Sequence, residues 1–116
     1  MPQNMNVTVK KGDGYAVVYT DGYINNLGGE KIAKVCYRLI EEGFRHFILN
    51  LEQSRVINSI GISILIEVIE RMQEIQGSLF FCNVTPTMAK TFRIMRLTDA
   101  AEICEDEREA IGTVAF

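Results

Sequence analysis

The residues that could most readily carry chemistry are an amide and a hydroxyl, Asn58 and Ser59, placed where a strand-like apolar run gives way to a helical pattern. In α/β sheets, functional groups gather at such junctions because unpaired N–H groups and the positive end of the helix dipole lie there. A phosphate on Ser59 would add about −1.5 to −2 charge and would repel a partner docked on the same helix. The alternative is that Asn58 or Ser59 only caps the helix. The residue types leave both interpretations open.

The predicted helix after Ser59 is unusual in two ways. Gly61 has low helix propensity, and its missing side chain predicts the close approach of another backbone or of a kinase. The helix also carries more apolar residues than the roughly 100° stripe that a surface helix needs. The surplus consists of either Ile62 with Ile66 or Ile60 with Ile64. We predict that this surplus contacts a partner, the alternative being that neighbouring helices bury it.

Patterns typical of enzymes and metal sites are scarce. His46 is the only histidine, and it falls in a predicted strand, where a packed or strand-edge position is more common than a catalytic one. The sequence contains no paired metal-ligand spacing, phosphate loop or dinucleotide fingerprint. We expect no enzyme activity, no metal site and no cofactor. The wide spacing of the cysteines favours buried, reduced thiols at Cys36, Cys82 and Cys104.

Length and composition set the class of protein. With 116 residues, of which 47% are hydrophobic and 23% charged, the chain fits a single globular domain over residues 1–116. The net charge of −3 and the scattered 12 Lys and Arg residues argue against direct nucleic-acid binding. The N-terminus lacks a signal-peptide pattern, and no apolar run approaches the ~20 residues of a membrane-spanning helix. We therefore expect a cytoplasmic protein without membrane insertion.

The spacing of apolar residues predicts the element order β-β-α-β-α-β-α-β-α. Two-residue alternation and short apolar runs predict strands, whereas i, i+3, i+4 spacing predicts helices. The predicted strands cover residues 6–10, 15–20, 44–51, 78–84 and 102–105, and the predicted helices cover residues 27–42, 60–76 and 85–97, with a last helix starting at 105–107. A hairpin followed by alternating helices and strands implies βαβ crossovers. We predict an α/β fold with a mixed sheet, in which the run at 44–51 is the central strand.

Residues 51–62 resemble a known family motif. Their sequence, Leu-Glu-Gln-Ser-Arg-Val-Ile-Asn-Ser-Ile-Gly-Ile, is similar to the strand-loop-helix signature of STAS domains. That family is typified by anti-sigma-factor antagonists, in which an Asp-Ser-Ser/Thr-Gly-Leu segment carries a phosphorylatable serine. The opening hairpin and residues 21–24, 83–86 and 97–110 resemble the family in the same order. The resemblance implies a STAS-like fold over nearly the whole chain.

The resemblance also implies a function and a site. Ser59 matches the serine that an anti-sigma factor with serine kinase activity phosphorylates and that a serine phosphatase restores. The unphosphorylated form binds the anti-sigma factor and thereby regulates sigma-factor-dependent transcription. Asn58 stands where the family usually has Asp, and Ile60 replaces the second hydroxyl residue. The expected phosphorylation site is Ser59, and the expected partner surface consists of Asn58, Ser59, Ile60, Gly61, Ile62 and Ile66.

Other functions stay open. Similar domains also serve as constitutive subunits of stress-signalling scaffolds or of lipid- or anion-transport systems, and such a subunit would self-associate or join a multiprotein particle. Its binding would be indifferent to charge at Ser59. A small-molecule or nucleotide-binding domain, or a weak enzyme, would instead use the crevice between strand and helix ends.

Overall fold

The computed structural model describes residues 5–114, and its strands and helices follow the predicted order. The strands are β1 (Asn6–Lys11), β2 (Ala16–Asp21), β3 (His46–Gln53), β4 (Ser78–Cys82) and β5 (Glu102–Cys104). The helices are α1 (Asn26–Glu41), α2 (Ser59–Glu74), α3 (Pro86–Ile94) and α4 (Glu107–Val114), and a 3-10 turn (Leu97–Asp99) precedes β5. α3 ends three residues earlier than predicted because Arg96 adopts a left-handed backbone with φ of 67°.

The five strands form one sheet in the order β1-β2-β3-β4-β5. β1 pairs antiparallel with β2, and all other neighbouring strands are parallel. The predicted α/β class with a mixed sheet is therefore confirmed. Because β2, β3 and β4 run in the same direction, their carboxyl ends meet at one edge of the sheet, where α1, α2 and α3 begin.

The central strand β3 is covered on both faces, as its apolar run predicts. Phe47 and Leu49 lie in a large core that also contains buried residues of α1, α2 and α3. Ile48 points to the other face, into a smaller cluster that includes Ala110 of α4. The alternation of side chains along a strand explains this division. Three helices thus cover one face of the sheet, and α4 covers the other.

The start of β3 differs from the prediction. The strand begins at His46 rather than at Phe44, because the Phe44 N–H donates to the Leu39 carbonyl at the end of α1 (3.1 Å). His46 is half-buried, and its Nδ1 lies 2.6 Å from the Ser78 Oγ. It therefore occupies the amino end of β3, at the sheet edge opposite the starts of α1 and α2.

Neighbouring elements bury most of the surplus apolar surface of α2. Ile62 is only 6% exposed and belongs to the large core. Ile64 and Ile66 are half-buried and pack against the same core. α1 approaches α2 closely at Gly29, where an added Cβ would lie 2.9 Å from Ile64 Cδ1. Neighbouring elements therefore bury most of this face, Ile62 included, and the role of Ile62 in a partner surface stays a prediction.

A polar cluster holds α4 on its face of the sheet. Glu107, the first residue of α4, accepts hydrogen bonds from Lys10 Nζ (2.6 Å), Tyr19 Oη (2.8 Å) and Asn50 Nδ2 (3.1 Å). Burial opposes ionisation of Glu107, but these hydrogen bonds outweigh it and lower the pKa of the carboxyl below its ordinary value. One ionised carboxylate therefore ties α4 to β1, β2 and β3.

The three cysteine thiols have low reactivity. All three are buried and form no disulfide, which confirms the predicted thiols at Cys36, Cys82 and Cys104. Burial raises the pKa of Cys36 and Cys82 to about 12 and the pKa of Cys104 to about 11. Since the thiolate is the nucleophile, these side chains are poor reactants at neutral pH.

Candidate functional site

Two loops lie side by side at the carboxyl edge of the parallel strands. They connect β2 to α1 and β3 to α2, and their backbones continue the parallel pairing through a bridge between Ile24 and Ile57. Ile24 donates its N–H to the Val56 carbonyl (3.0 Å) and accepts from the Asn58 N–H (3.2 Å). The start of α2 is therefore held against the loop before α1.

A buried hydroxyl pair secures the same two strands just before these loops. Thr20 Oγ1 and Ser54 Oγ lie 2.7 Å apart, and the two residues are 2% and 0% exposed. Ser54 also donates its N–H to the Leu51 carbonyl (3.0 Å). The sequence offers no signal for this pair, because it depends on which positions the parallel register of β2 and β3 brings together.

Asn58, not Ser59, is the N-cap of α2. Its backbone is extended (φ −106°, ψ 177°), and its Oδ1 accepts from the Gly61 N–H (2.8 Å). Ser59 is the first residue of the helix and is exposed. Its hydroxyl forms no hydrogen bond with any residue that the structure describes, although its carbonyl accepts from Ser63 Oγ (3.0 Å). Asn58 therefore caps the helix, whereas Ser59 carries the exposed hydroxyl.

Gly61 permits the contact between the two loops. A Cβ at this position would lie 2.1 Å from the Ile24 carbonyl oxygen and 3.0 Å from Ile24 Cγ2. The predicted close approach of another backbone at Gly61 is therefore confirmed, and that backbone belongs to the same chain. Gly61 is buried against Ile24, and its expected part in a partner surface stays a prediction.

Several exposed apolar side chains lie on the elements that meet at Ser59, and they differ in part from the expected set. Ile60 is 52% exposed, whereas Ile66 is half-buried. Three apolar residues that the sequence analysis missed lie on the same two loops and on the first turn of α1. They are Tyr23, Leu27 and Val56, with exposed fractions of 38%, 70% and 57%. We call Tyr23, Leu27, Val56, Ser59 and Ile60 the Ser59 patch.

Nothing in the first turn of α2 opposes a negative charge. That turn contains no acidic residue, and the cap at Asn58 is a neutral amide. The first N–H groups and the dipole of a helix favour an anion at this end. Arg55 is exposed on the preceding loop and takes part in no ion pair among residues 5–114. The immediate surroundings of the Ser59 hydroxyl therefore suit a phosphate electrostatically.

Other kinds of site find little support in the described part of the chain. Residues 5–114 contain no group of three or more His, Cys, Asp or Glu side chains that could hold a metal ion. None of the helices within the same range has the length and hydropathy to cross a membrane. A shallow hollow of about 410 Å³ lies beside the Ser59 patch, lined by Asp21, Gly22, Tyr23, Gln53, Arg55 and Val56.

The family model for the STAS domain matches residues 5–110, from the beginning of β1 into α4. This chain belongs to the STAS family. The match covers both loops of the candidate site, so the resemblance of residues 51–62 is confirmed at the level of the family. The expected roles of individual residues stay predictions.

Three named proteins illustrate what this STAS domain is similar to. BtrV of Bordetella bronchiseptica, named as a candidate anti-sigma factor antagonist, is 26% identical over 90 residues, which are 78% of each chain. An anti-sigma factor antagonist from Mycobacterium paratuberculosis has a similar fold, with a TM-score of 0.84, 16% identity, and coverage of 97% of this chain and 96% of that one. The structure of the Bacillus cell fate determinant SpoIIAA in its phosphorylated form is also similar, with a TM-score of 0.73 and 22% identity. The match covers 94% of this chain and 99% of SpoIIAA.

Proposed function

We propose that this STAS domain is an anti-sigma-factor antagonist whose binding is switched by phosphorylation of Ser59. The unmodified domain binds an anti-sigma factor that is also a serine kinase, and a serine phosphatase reverses the modification. The observation that carries the proposal is the hydroxyl of Ser59, which is exposed at the first position of α2 and forms no hydrogen bond within residues 5–114, with exposed apolar side chains on the same loop, on the same helical turn and on the adjoining loop.

The surroundings of Ser59 explain how one phosphate could switch binding without unfolding the domain. The helix dipole and the neutral cap at Asn58 stabilise the added charge locally. The apolar neighbours Val56 and Ile60 favour a dry interface with a partner. A phosphate placed within that interface would lose its hydration, and this cost opposes docking.

Similar proteins support the proposal. The Mycobacterium paratuberculosis structure is named as an anti-sigma factor antagonist, and the Bordetella bronchiseptica relative is named as a candidate for the same role. The Bacillus protein SpoIIAA, which shares the fold, has a phosphorylated form whose structure is known. These relatives agree with the chemistry that the Ser59 hydroxyl permits in this chain.

Phosphate transfer tests the modification site. The purified chain is incubated with ATP and an anti-sigma-factor kinase from the same organism, and the intact mass is measured. We expect addition of one phosphate, which Ser59→Ala abolishes. Ser63→Ala is the matched control, because Ser63 is also exposed and lies one turn further along α2, and we expect it to be modified like the wild type. Unchanged incorporation in Ser59→Ala would refute the proposed site.

Binding to the same kinase tests the switch. We expect Ser59→Asp to weaken binding by at least about tenfold, whereas the neutral Ser59→Asn binds nearly as tightly as the wild type. Isothermal titration calorimetry measures both. Equal affinities of the wild type and Ser59→Asp would contradict the switch and support a constitutive assembly subunit.

A further inference from the structure

A groove runs between the edge strand β1 and the outer face of α1. Its volume is about 520 Å³. The residues that line it are Val7 from β1 and Leu27, Glu30, Lys31, Lys34, Val35 and Arg38 from α1. Leu27 also belongs to the Ser59 patch, but the rest of the groove extends along α1 away from Ser59. Its position therefore defines a second surface on the domain.

One wall of the groove is an open sheet edge. β1 pairs with β2 and occupies the end of the strand order, so the backbone groups on its outer side have no strand partner among residues 5–114. Val7 and Val9 point to the same face of the sheet, because side chains alternate along a strand. Val9 is opposite Val18, which lies in the large core, yet Val9 is 37% exposed. An extended segment beside β1 would thus meet backbone hydrogen-bonding groups and an apolar strip.

The other wall of the groove is positively charged. Lys31 Nζ already donates to the Met5 carbonyl (2.7 Å), which holds Met5 against α1. Lys34 and Arg38 are exposed, one helical turn apart, and neither forms an ion pair within residues 5–114. Glu30 is the one acidic residue among those that line the groove. Two cations are therefore available to carboxylates of a bound chain, although the protein as a whole has a net charge of −3.

We propose that this groove binds an extended acidic segment of a protein partner, which adds as a strand to the outer edge of β1. Backbone hydrogen bonds to β1 supply affinity, and apolar side chains of the segment cover Val7 and Val9. Carboxylates on the same face of the segment pair with Lys34 and Arg38. The proposal goes beyond the function assigned to Ser59, because binding in the groove requires neither the serine nor its phosphate.

Charge complementarity selects this occupant over a second copy of the chain. A twofold pairing through β1 would bring the same surface of both copies together. Such a pairing would place two surfaces that both carry Lys34 and Arg38 on the same side of the joined sheet, and this repetition of positive charge gives no complementarity. An acidic segment from another protein has the opposite charge.

A designed peptide tests the groove directly. The probe is the octapeptide Thr-Glu-Thr-Val-Thr-Glu-Thr-Val with blocked ends, which as a strand presents Glu and Val alternately on one face. We expect titration of the ¹⁵N-labelled full chain to shift the amide signals of β1 and of the outer face of α1, and β1 amides to become protected from exchange. The same peptide with Lys in place of Glu should produce no such shifts.

Charge-reversal variants distinguish peptide binding in the groove from nonspecific electrostatic attraction of the peptide to the protein. We expect the double variant Lys34→Glu with Arg38→Glu to lose at least about tenfold in peptide affinity. The matched control is Lys90→Glu with Arg93→Glu, which makes the same charge change on the exposed face of α3 and should leave affinity within about twofold. Circular dichroism establishes that both variants are folded.

Three outcomes would overturn the proposal. They are the absence of shifts at millimolar peptide, shifts confined to a surface other than β1 and α1, and equal loss of affinity in the α1 and α3 variants. Concentration-dependent dimers that protect β1 without peptide would assign the edge to a second copy instead. Ser59→Ala leaves the groove intact. The phosphorylation test of Ser59 and the peptide test of the groove can therefore fail independently of each other.

Discussion

Replacement of Gly61 by alanine should destabilise the domain, although alanine is the better helix former. A Cβ at this position would lie 2.1 Å from the Ile24 carbonyl oxygen and 2.9 Å from its carbonyl carbon. Ordinary contact would require a displacement of more than about 1 Å, and it must come from backbone rather than from a flexible side chain. The loop before α1 therefore has to move away from α2.

The expected magnitude combines three effects of the Gly61→Ala substitution. Overpacking of this kind costs about 1–3 kcal/mol, and we take the upper part of that range because the opposing group is backbone. Displacement of Ile24 also strains its hydrogen bonds with Val56 and Asn58 (3.0 and 3.2 Å), at about 1 kcal/mol each. The higher helix propensity of alanine returns about 1 kcal/mol. We expect the free energy of unfolding to fall by about 3–4 kcal/mol.

Urea unfolding followed by far-UV circular dichroism measures this change. Gly112→Ala is the matched control, because Gly112 also lies within a helix but an added Cβ would have nothing within 4 Å. We expect that control to gain up to about 1 kcal/mol. If Gly61→Ala were as stable as the wild type, the close packing of the two loops would not be the reason for glycine at this position.

Two further predictions concern polar contacts that the tertiary structure creates. Ser54→Ala leaves the buried Thr20 hydroxyl without its partner and should cost about 1–3 kcal/mol in urea unfolding, whereas adding Thr20→Val should recover part of the loss; no recovery would show that the pair itself is unimportant. The lowered pKa of Glu107 means that its stabilising contribution is present above the ordinary value of 4.5 and is lost as pH falls through the folded-state value. The free energy of unfolding, measured by thermal denaturation, should therefore decrease more steeply below about pH 4.5 in the wild type than in Glu107→Gln. The difference should be under about 1 kcal/mol because Glu107 is partly exposed. Parallel pH profiles of the two proteins would contradict this.

The sequence was sufficient to predict the strands and helices because apolar residues recur along the chain with the spacing typical of each. The run at 44–51 predicted a strand covered on both faces, and β3 is such a strand. Its start moved to His46 because a hydrogen bond from Phe44 to Leu39 closes the end of α1. That bond depends on the conformation at Gly43, whose φ is 103°, and apolar spacing contains no information about it. Boundaries therefore shifted while the order of the elements stayed as predicted.

The candidate site was predictable in location but not in composition. Strand and helix patterns place residues 57–62 at the carboxyl edge of the sheet. Whether an isoleucine of α2 faces the core or solvent depends on how the helices pack: Gly29 of α1 lies against Ile64, and Ile62 is buried in the large core. Tyr23 and Val56 come from loops that are distant in sequence from each other, so their proximity follows from the parallel pairing that ends in the Ile24–Ile57 bridge.

By itself, the sequence determined the fold class, the order of the elements and the presence of a hydroxyl at the mouth of α2, because these depend on local propensity and on periods of two and 3.6 residues. The tertiary structure alone decided that Asn58 caps the helix and leaves the Ser59 hydroxyl exposed, that Gly61 serves the loop contact, and that a groove opens beside β1 whose cations Lys34 and Arg38 form no ion pair within residues 5–114. Each of these depends on atoms from separate segments meeting at about 2–4 Å, a distance scale that residue spacing along the chain does not specify.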